Sequence, residues 1–203
     1  MKEKKNPLQY KFYATILDSF QNYLDSSKIY QRYYGSSENP KYTEEEFEQE
    51  QFNDLINRIN RVPFDSEPAD KGTAFNEVID CIIENRISDS MNIKSNKEAG
   101  TITATYNNRT FVFDIALCKE FAKYLKGSLT QQKVEASLST SYGYVLLYGY
   151  MDELLPFKVV DIKTTGQYKA YKFRDHWQHI VYPYCLIQNG NLINEFEYVI
   201  TDF

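Results

Sequence analysis

Two carboxylates and a lysine carry the clearest chemical signal in this chain. Asp152 closes the run Tyr148-Gly-Tyr-Met-Asp152, and Asp161-Ile-Lys163 follows nine residues later. In an extended strand, side chains at i and i+2 share a face, so Asp161 and Lys163 project together while Ile162 faces the opposite side. Strands over 144–152 and 157–164, joined through Glu153-Leu-Leu-Pro156, set Asp152 at the end of one strand beside the other. Two carboxylates with an ammonium nearby suit a hard divalent cation that must hold a phosphate and an attacking water. That chemistry is metal-dependent phosphodiester cleavage.

The tripeptide alone says little. An acidic-x-Lys run arises by chance about once per 200 residues, and Glu3-Lys-Lys5 is a second case in this chain. Alone, the trio would read as a surface ion-pair network worth under about 1 kcal/mol per pair. The surroundings change that reading. Asp161 lies in an apolar run, Lys158-Val-Val-Asp-Ile-Lys163, and Gly149 stands three residues before Asp152. A helical pattern comes next, with Gln178 and Tyr182 at i, i+4, stacked on one face.

The ordered set Gly-x-x-Asp, Asp-x-Lys and Gln-x-x-x-Tyr resembles the PD-(D/E)XK nuclease superfamily, in its RecB-like exonuclease branch. A second Gln-x-x-x-Tyr, Gln167 to Tyr171, lies too close to the strand end. Ala14-Thr-Ile-Leu-Asp-Ser-Phe20 is similar to the first-helix signature of that branch. Lys71-Gly-Thr-Ala-Phe-Asn-Glu-Val-Ile79 is similar to its glycine-led motif helix, with Asn76 where relatives often carry a histidine ligand. Glu77 is the neighbouring candidate, and Val134-Glu135 resembles the short strand before the catalytic hairpin. The resemblance spans about residues 12–200.

It implies an α/β fold with a restriction-endonuclease-like core: a mixed central β-sheet flanked by helices, plus an N-terminal helical extension. One nuclease-like domain would cover 1–203, with 1–62 helical and 71–203 the core. Asp152, Asp161 and the Ile162 carbonyl would bind Mg²⁺ or Mn²⁺, with Asn76 or Glu77 as a further ligand. Lys163 would orient the attacking water and offset charge on phosphorus. Gln178 and Tyr182 would position the lysine strand or contact DNA. Family analogy extends to an exonuclease of a phage or mobile element, or of recombination and repair, with DNA and a recombination protein as partners. Some relatives form rings, and no residue of this chain marks such a homo-oligomer. A non-catalytic DNA-binding or assembly module with the same fold is the competing reading, motivated by Asn76 and by the charge.

The elements that must position these residues are legible in outline. Phe12, Ile16, Leu17, Phe20, Tyr23 and Leu24 recur at helical spacing across 10–33, followed by Tyr30, Tyr33 and Tyr34. Those tyrosines serve either core packing or base stacking. Thr43 and Glu46 form a capping-box signature for a helix to about Arg61, with Phe47, Leu55, Ile56 and Ile59 inward. Its acidic run from Glu44 to Glu50 suits the helix N-terminus. A loop is expected over Pro63 to Asp70, then the motif helix over 72–87, where Asn76 is a core-edge amide or a metal neighbour. Asn107-Asn108 marks a hairpin turn between 101–106 and 110–113. A helix over 115–126 sets Lys119, Lys123 and Lys126 along one edge. Strands over 133–139, 144–152 and 157–164, a helix over 168–188 ended by Gly190-Asn191, and a strand over 196–201 complete the pattern.

With 203 residues, 42% of them hydrophobic, the chain is large enough for a real core. No apolar run reaches the roughly 20 residues of a membrane span, and no signal-peptide pattern opens the chain, so a cytoplasmic protein with no membrane partner is expected. Cys81, Cys118 and Cys185 lack the number and spacing for an iron–sulfur cluster. The net charge of −5 is uneven: residues 1–100 hold 13 Lys/Arg against 18 Asp/Glu, residues 101–203 hold 10 against 10. Weak, metal-dependent DNA affinity is the expectation from that balance.

Overall fold

Thr43 and Glu46 cap each other as their spacing requires. The Thr43 hydroxyl accepts from the Glu46 N–H, and the Glu46 carboxylate accepts from the Thr43 N–H. The computed structural model describes residues 10–203, so Glu3-Lys-Lys5 lies outside the described residues. In chain order the elements are β1 (Tyr10–Tyr13), α1 (Ala14–Leu24), α2 (Ser26–Tyr33), α3 (Glu44–Ile59), α4 (Glu67–Glu84), β2 (Asn92–Asn96), β3 (Thr101–Tyr106), β4 (Arg109–Asp114), α5 (Ile115–Tyr124), β5 (Leu129–Thr140), β6 (Gly143–Leu155), β7 (Lys158–Thr165), α6 (Gln178–Gln188) and β8 (Glu195–Asp202). The class is α/β, with a mixed sheet flanked by helices. Among the described residues, no helix is long and apolar enough to cross a membrane.

The chain divides into two compact units. The first comprises the described part of Met1–Phe64 with Glu135–Gly149 and Arg174–Cys185. Here β1 pairs in parallel with the start of β6, Tyr10 opposite Val145 through Tyr13 opposite Tyr148. Residues 10–13 are therefore strand and not the start of the expected helix, because extended pairing outweighs four residues of helical spacing. Asp25 separates the remaining helical stretch into α1 and α2. Tyr30, Tyr34, Tyr42 and Phe47 pack ring against ring with centroids 5.6–6.4 Å apart, and Tyr30 is buried. Phe47 and Leu55 of α3 are buried as expected, whereas Ile56 and Ile59 are exposed.

The second unit holds Asp65–Val134, Tyr150–Phe173 and Leu186–Phe203. Its core joins Phe75, Val78 and Ile79 of α4 to Phe113, Cys118, Phe121, Leu125, Val160 and Ile162. The helix begins a turn earlier than expected because the Ser66 hydroxyl accepts from the Ala69 N–H and Pro68 fits the first turn. Asn107 and Asn108 both adopt positive φ, 46° and 61°, closing the β3–β4 hairpin. β2 adds a third, unforeseen strand to that sheet. The end of β6 runs antiparallel to β7, with Glu153, Leu154 and Leu155 opposite Val160, Val159 and Lys158, and β7 runs parallel to β8. The expected helix over 168–188 is shorter. Residues 166–177 are turns and bends, and α6 starts at Gln178.

Candidate active site

Asp152 lies inside β6 and not at its end, yet the β6–β7 ladder stops one residue past it, at Glu153 opposite Val160. There the Asp152 side chain takes over. Its Oδ2 accepts from the Ile162 backbone N–H at 2.8 Å. In an extended strand the N–H and C=O of one residue point to the same side, so the Ile162 carbonyl faces the same gap. Asp161 is 1% exposed, and its Oδ2 pairs with the Lys163 Nζ at 2.5 Å. Lys163 also stands 5.9 Å from the centre of the Tyr198 ring. The trio singled out by spacing is thus gathered on one stretch of hairpin.

Burial raises the Asp152 carboxyl to about 7; the Asp161 charge adds to that and the Lys163 ammonium opposes it. A nearby cation therefore favours the ionised form of this group, since a positive charge offsets both causes.

α4 packs along β7 through Gly72, Asn76 and Asp80, which share one stripe at i, i+4. A Cβ on Gly72 would stand 3.0 Å from the Thr164 hydroxyl. At the other end, Asp80 faces Glu153, which lies opposite Val160. Asn76 is therefore placed over the middle of β7, the stretch that contains Ile162. Its Oδ1 is buried with no hydrogen-bond partner among the described residues. The Glu77 carboxylate is committed elsewhere, held by the Arg86 guanidinium at 2.7 and 3.0 Å. Arg86 keeps that carboxyl below its ordinary range.

Two buried acids did not stand out in the sequence. Asp80 is 1% exposed and Glu153 fully buried, and burial is the main cause that drives the Glu153 carboxyl up to about 8 and Asp80 to about 6. Ser128 donates to Glu153. The Glu153 and Gln131 side chains lie against Asp80 and offset part of that rise. The signal available was the Asn76-to-Asp80 spacing and the apolar run surrounding Glu153.

These groups fit a hard divalent cation by donor type. All are oxygens: two carboxylates, a carbonyl facing a gap and, on α4, a buried amide oxygen with no partner among the described residues. Among the described residues, no group of three or more His, Cys, Asp or Glu side chains is arranged to hold a metal. Mg²⁺ commonly takes one or two carboxylates and completes its shell with water and phosphate oxygens.

Gln178 and Tyr182 belong to the first unit, where the Gln178 amide donates to the Tyr182 hydroxyl at 3.3 Å. The Tyr182 ring explains Gly149: a Cβ there would stand 2.3 Å from Tyr182 Cε1. Glycine thus opens the Gly-x-x-Asp run because an aromatic ring lies against that backbone. Comparison with protein-family models, curated proteins and solved structures gives no match to this chain.

Proposed function

We propose that the protein is a metal-dependent deoxyribonuclease, an exonuclease, that hydrolyses phosphodiester bonds with Asp152, Asp161 and Lys163. The observation that carries this reading is the Asp152 carboxylate bridging to the Ile162 N–H where the strands part, beside buried Asp161 and its half-buried partner Lys163. Burial as deep as that of Asp161 is costly for a carboxylate unless it has a task or full pairing.

Asp152, Asp161 and the Ile162 carbonyl would hold Mg²⁺ or Mn²⁺, with Asn76, whose helix packs on the Ile162 face of β7, the further ligand that the resemblance implies. Such a cation supplies Lewis acidity at the phosphate and a water of lowered pKa. Asp161 holds the Lys163 amine in place, and Lys163 brings positive charge to where negative charge grows on the phosphate oxygens. The Ile162 N–H fixes the Asp152 carboxylate in one rotamer. Gln178 and Tyr182 are proposed to contact the DNA strand.

The second reading is a catalytically inactive DNA-binding or assembly module. An asparagine at position 76 and the capture of the neighbouring Glu77 carboxylate by Arg86 favour it, since neither then brings a third charge to a metal. Incubation of labelled linear and closed circular DNA with the protein in Mg²⁺ or Mn²⁺ separates the two. Loss of linear DNA with circles spared is expected, and DNA bound but uncut in both metals supports the inactive module.

A further inference from the structure

Between β7 and α6, residues 166–177 carry Lys169, Lys172 and Arg174 against one carboxylate, Asp175, in a chain whose net charge is −5. Two tyrosines alternate with those lysines, and both rings face outward: Tyr168 is 47% and Tyr171 77% exposed. The Lys172 N–H donates to the Lys169 carbonyl at 3.1 Å, closing a turn in which Tyr171 holds the third position at φ 66°. Positive φ at that position favours Gly or Asn, and a bulky aromatic adopts it at a cost. Backbone strain of this kind collects where a side chain must be presented.

The segment is tied down on both sides. The Lys172 amine donates to the Thr165 hydroxyl at 2.6 Å and to the Gln167 carbonyl at 3.3 Å. The Tyr168 N–H donates to Asp202 Oδ2 at 3.4 Å. Phe173 is buried with its ring 5.8 Å from Tyr198, the ring over which Lys163 stands at 5.9 Å. The two outward tyrosines therefore leave a scaffold that also supports the reactive lysine.

We infer that Tyr168, Lys169 and Tyr171 form a stacking platform for unpaired nucleobases of a single-stranded DNA end whose phosphate is delivered to Lys163. Exposed rings stack on any base face, and Lys169 answers the backbone phosphates; a paired duplex offers no free faces to two rings. This names the substrate of the proposed nuclease and rests on that reading for the fate of the phosphate.

Binding is read with the full chain in Ca²⁺, which replaces Mg²⁺ so that no strand is cut. The probes are fluorescein-labelled oligo-dT of about 12 nucleotides, an abasic strand of equal length and a blunt duplex. Wild type should bind oligo-dT more tightly than either of the others. Tyr168→Ala and Tyr171→Gly should each weaken oligo-dT binding roughly 5- to 150-fold and leave abasic binding unchanged. Glycine suits the positive φ at 171, and unchanged abasic binding by the same variant separates loss of the ring from a damaged fold. Lys169→Ala should weaken dT and abasic strands alike and lower the salt slope by about 0.7. Equal affinity for dT and abasic strands, or tyrosine variants at wild-type affinity, overturns the platform. Mg²⁺ or Mn²⁺ cleavage assayed alongside keeps the two readings apart. Cutting without ring dependence sinks only the platform, and ring-dependent binding without cutting sinks only the nuclease.

Discussion

Asp152 accepts a hydrogen bond from the Ile162 backbone N–H at 2.8 Å, so a side chain replaces the main chain at the point where β6 and β7 stop pairing. The strand register thereby sets the geometry of the proposed site. A carboxylate that stands in for a strand cannot be lengthened to glutamate without moving the bridge. Asp152→Glu should therefore lose hydrolysis of labelled linear DNA although it keeps the charge.

Lys163 and Asp161 should separate in their effects. In the proposed mechanism Lys163→Ala removes transition-state charge but no oxygen ligand, so hydrolysis should fall about 10²- to 10³-fold while Mn²⁺ binding by calorimetry persists. Asp161→Ala should lose both. Hydrolysis by Lys163→Ala at the wild-type rate would refute the role given to the amine.

The Gly149 contact predicts a steric penalty. Ala at 149 drives a methyl to 2.3 Å from Tyr182 Cε1, and overpacking of this kind costs about 1–3 kcal/mol. Urea unfolding of Gly149→Ala should show it. Tyr182→Phe keeps the ring carbon and should not relieve it, whereas Tyr182→Leu should recover part.

Asp80 and Glu153 make stability depend on pH in a definite direction. Burial raises both folded-state values, to about 6 and about 8, so the folded protein holds these protons after the unfolded chain has released them. Their contribution is whole below about pH 4, the unfolded range, and is lost as pH rises through 6 and then 8. In metal-free buffer, the stability of Glu153→Gln relative to wild type should therefore improve steadily from about pH 4 to 8. A difference that stays flat, or shrinks with rising pH, would contradict the assignment.

The three thiols should be slow. Burial lifts Cys118 to about 12 and Cys185 and Cys81 to about 11, so little thiolate exists at about pH 8. A chromogenic disulfide reagent should titrate them fully in denaturant and barely at all in the native protein.

Local rules made much of this legible. The capping box at Thr43 and Glu46, the Asn107-Asn108 turn and the i+2 alternation that sets Asp161 beside Lys163 all depend on residues a few positions apart. Their steric and hydrogen-bonding preferences act before any tertiary contact forms. Helical spacing over 10–13 and 168–177 misled because periodicity measures which side chains share a face and says nothing about backbone pairing. Tyr10–Tyr13 join β6, and 166–177 stay irregular around the Phe173 anchor.

Residue types and short spacings settled which groups can do chemistry, since a carboxylate or an ammonium and its place along a strand are local properties. Tertiary packing alone chose which of them meet. It set Asn76 over β7, gave Glu77 to Arg86, buried Asp80 against Glu153, and placed the Tyr182 ring on Gly149. Glu77 and Arg86 are 9 positions apart, and Asp80 and Glu153 are 73 apart. The packing of a helix on a sheet and of a ring on a strand selects such pairs, and no short stretch of sequence encodes it.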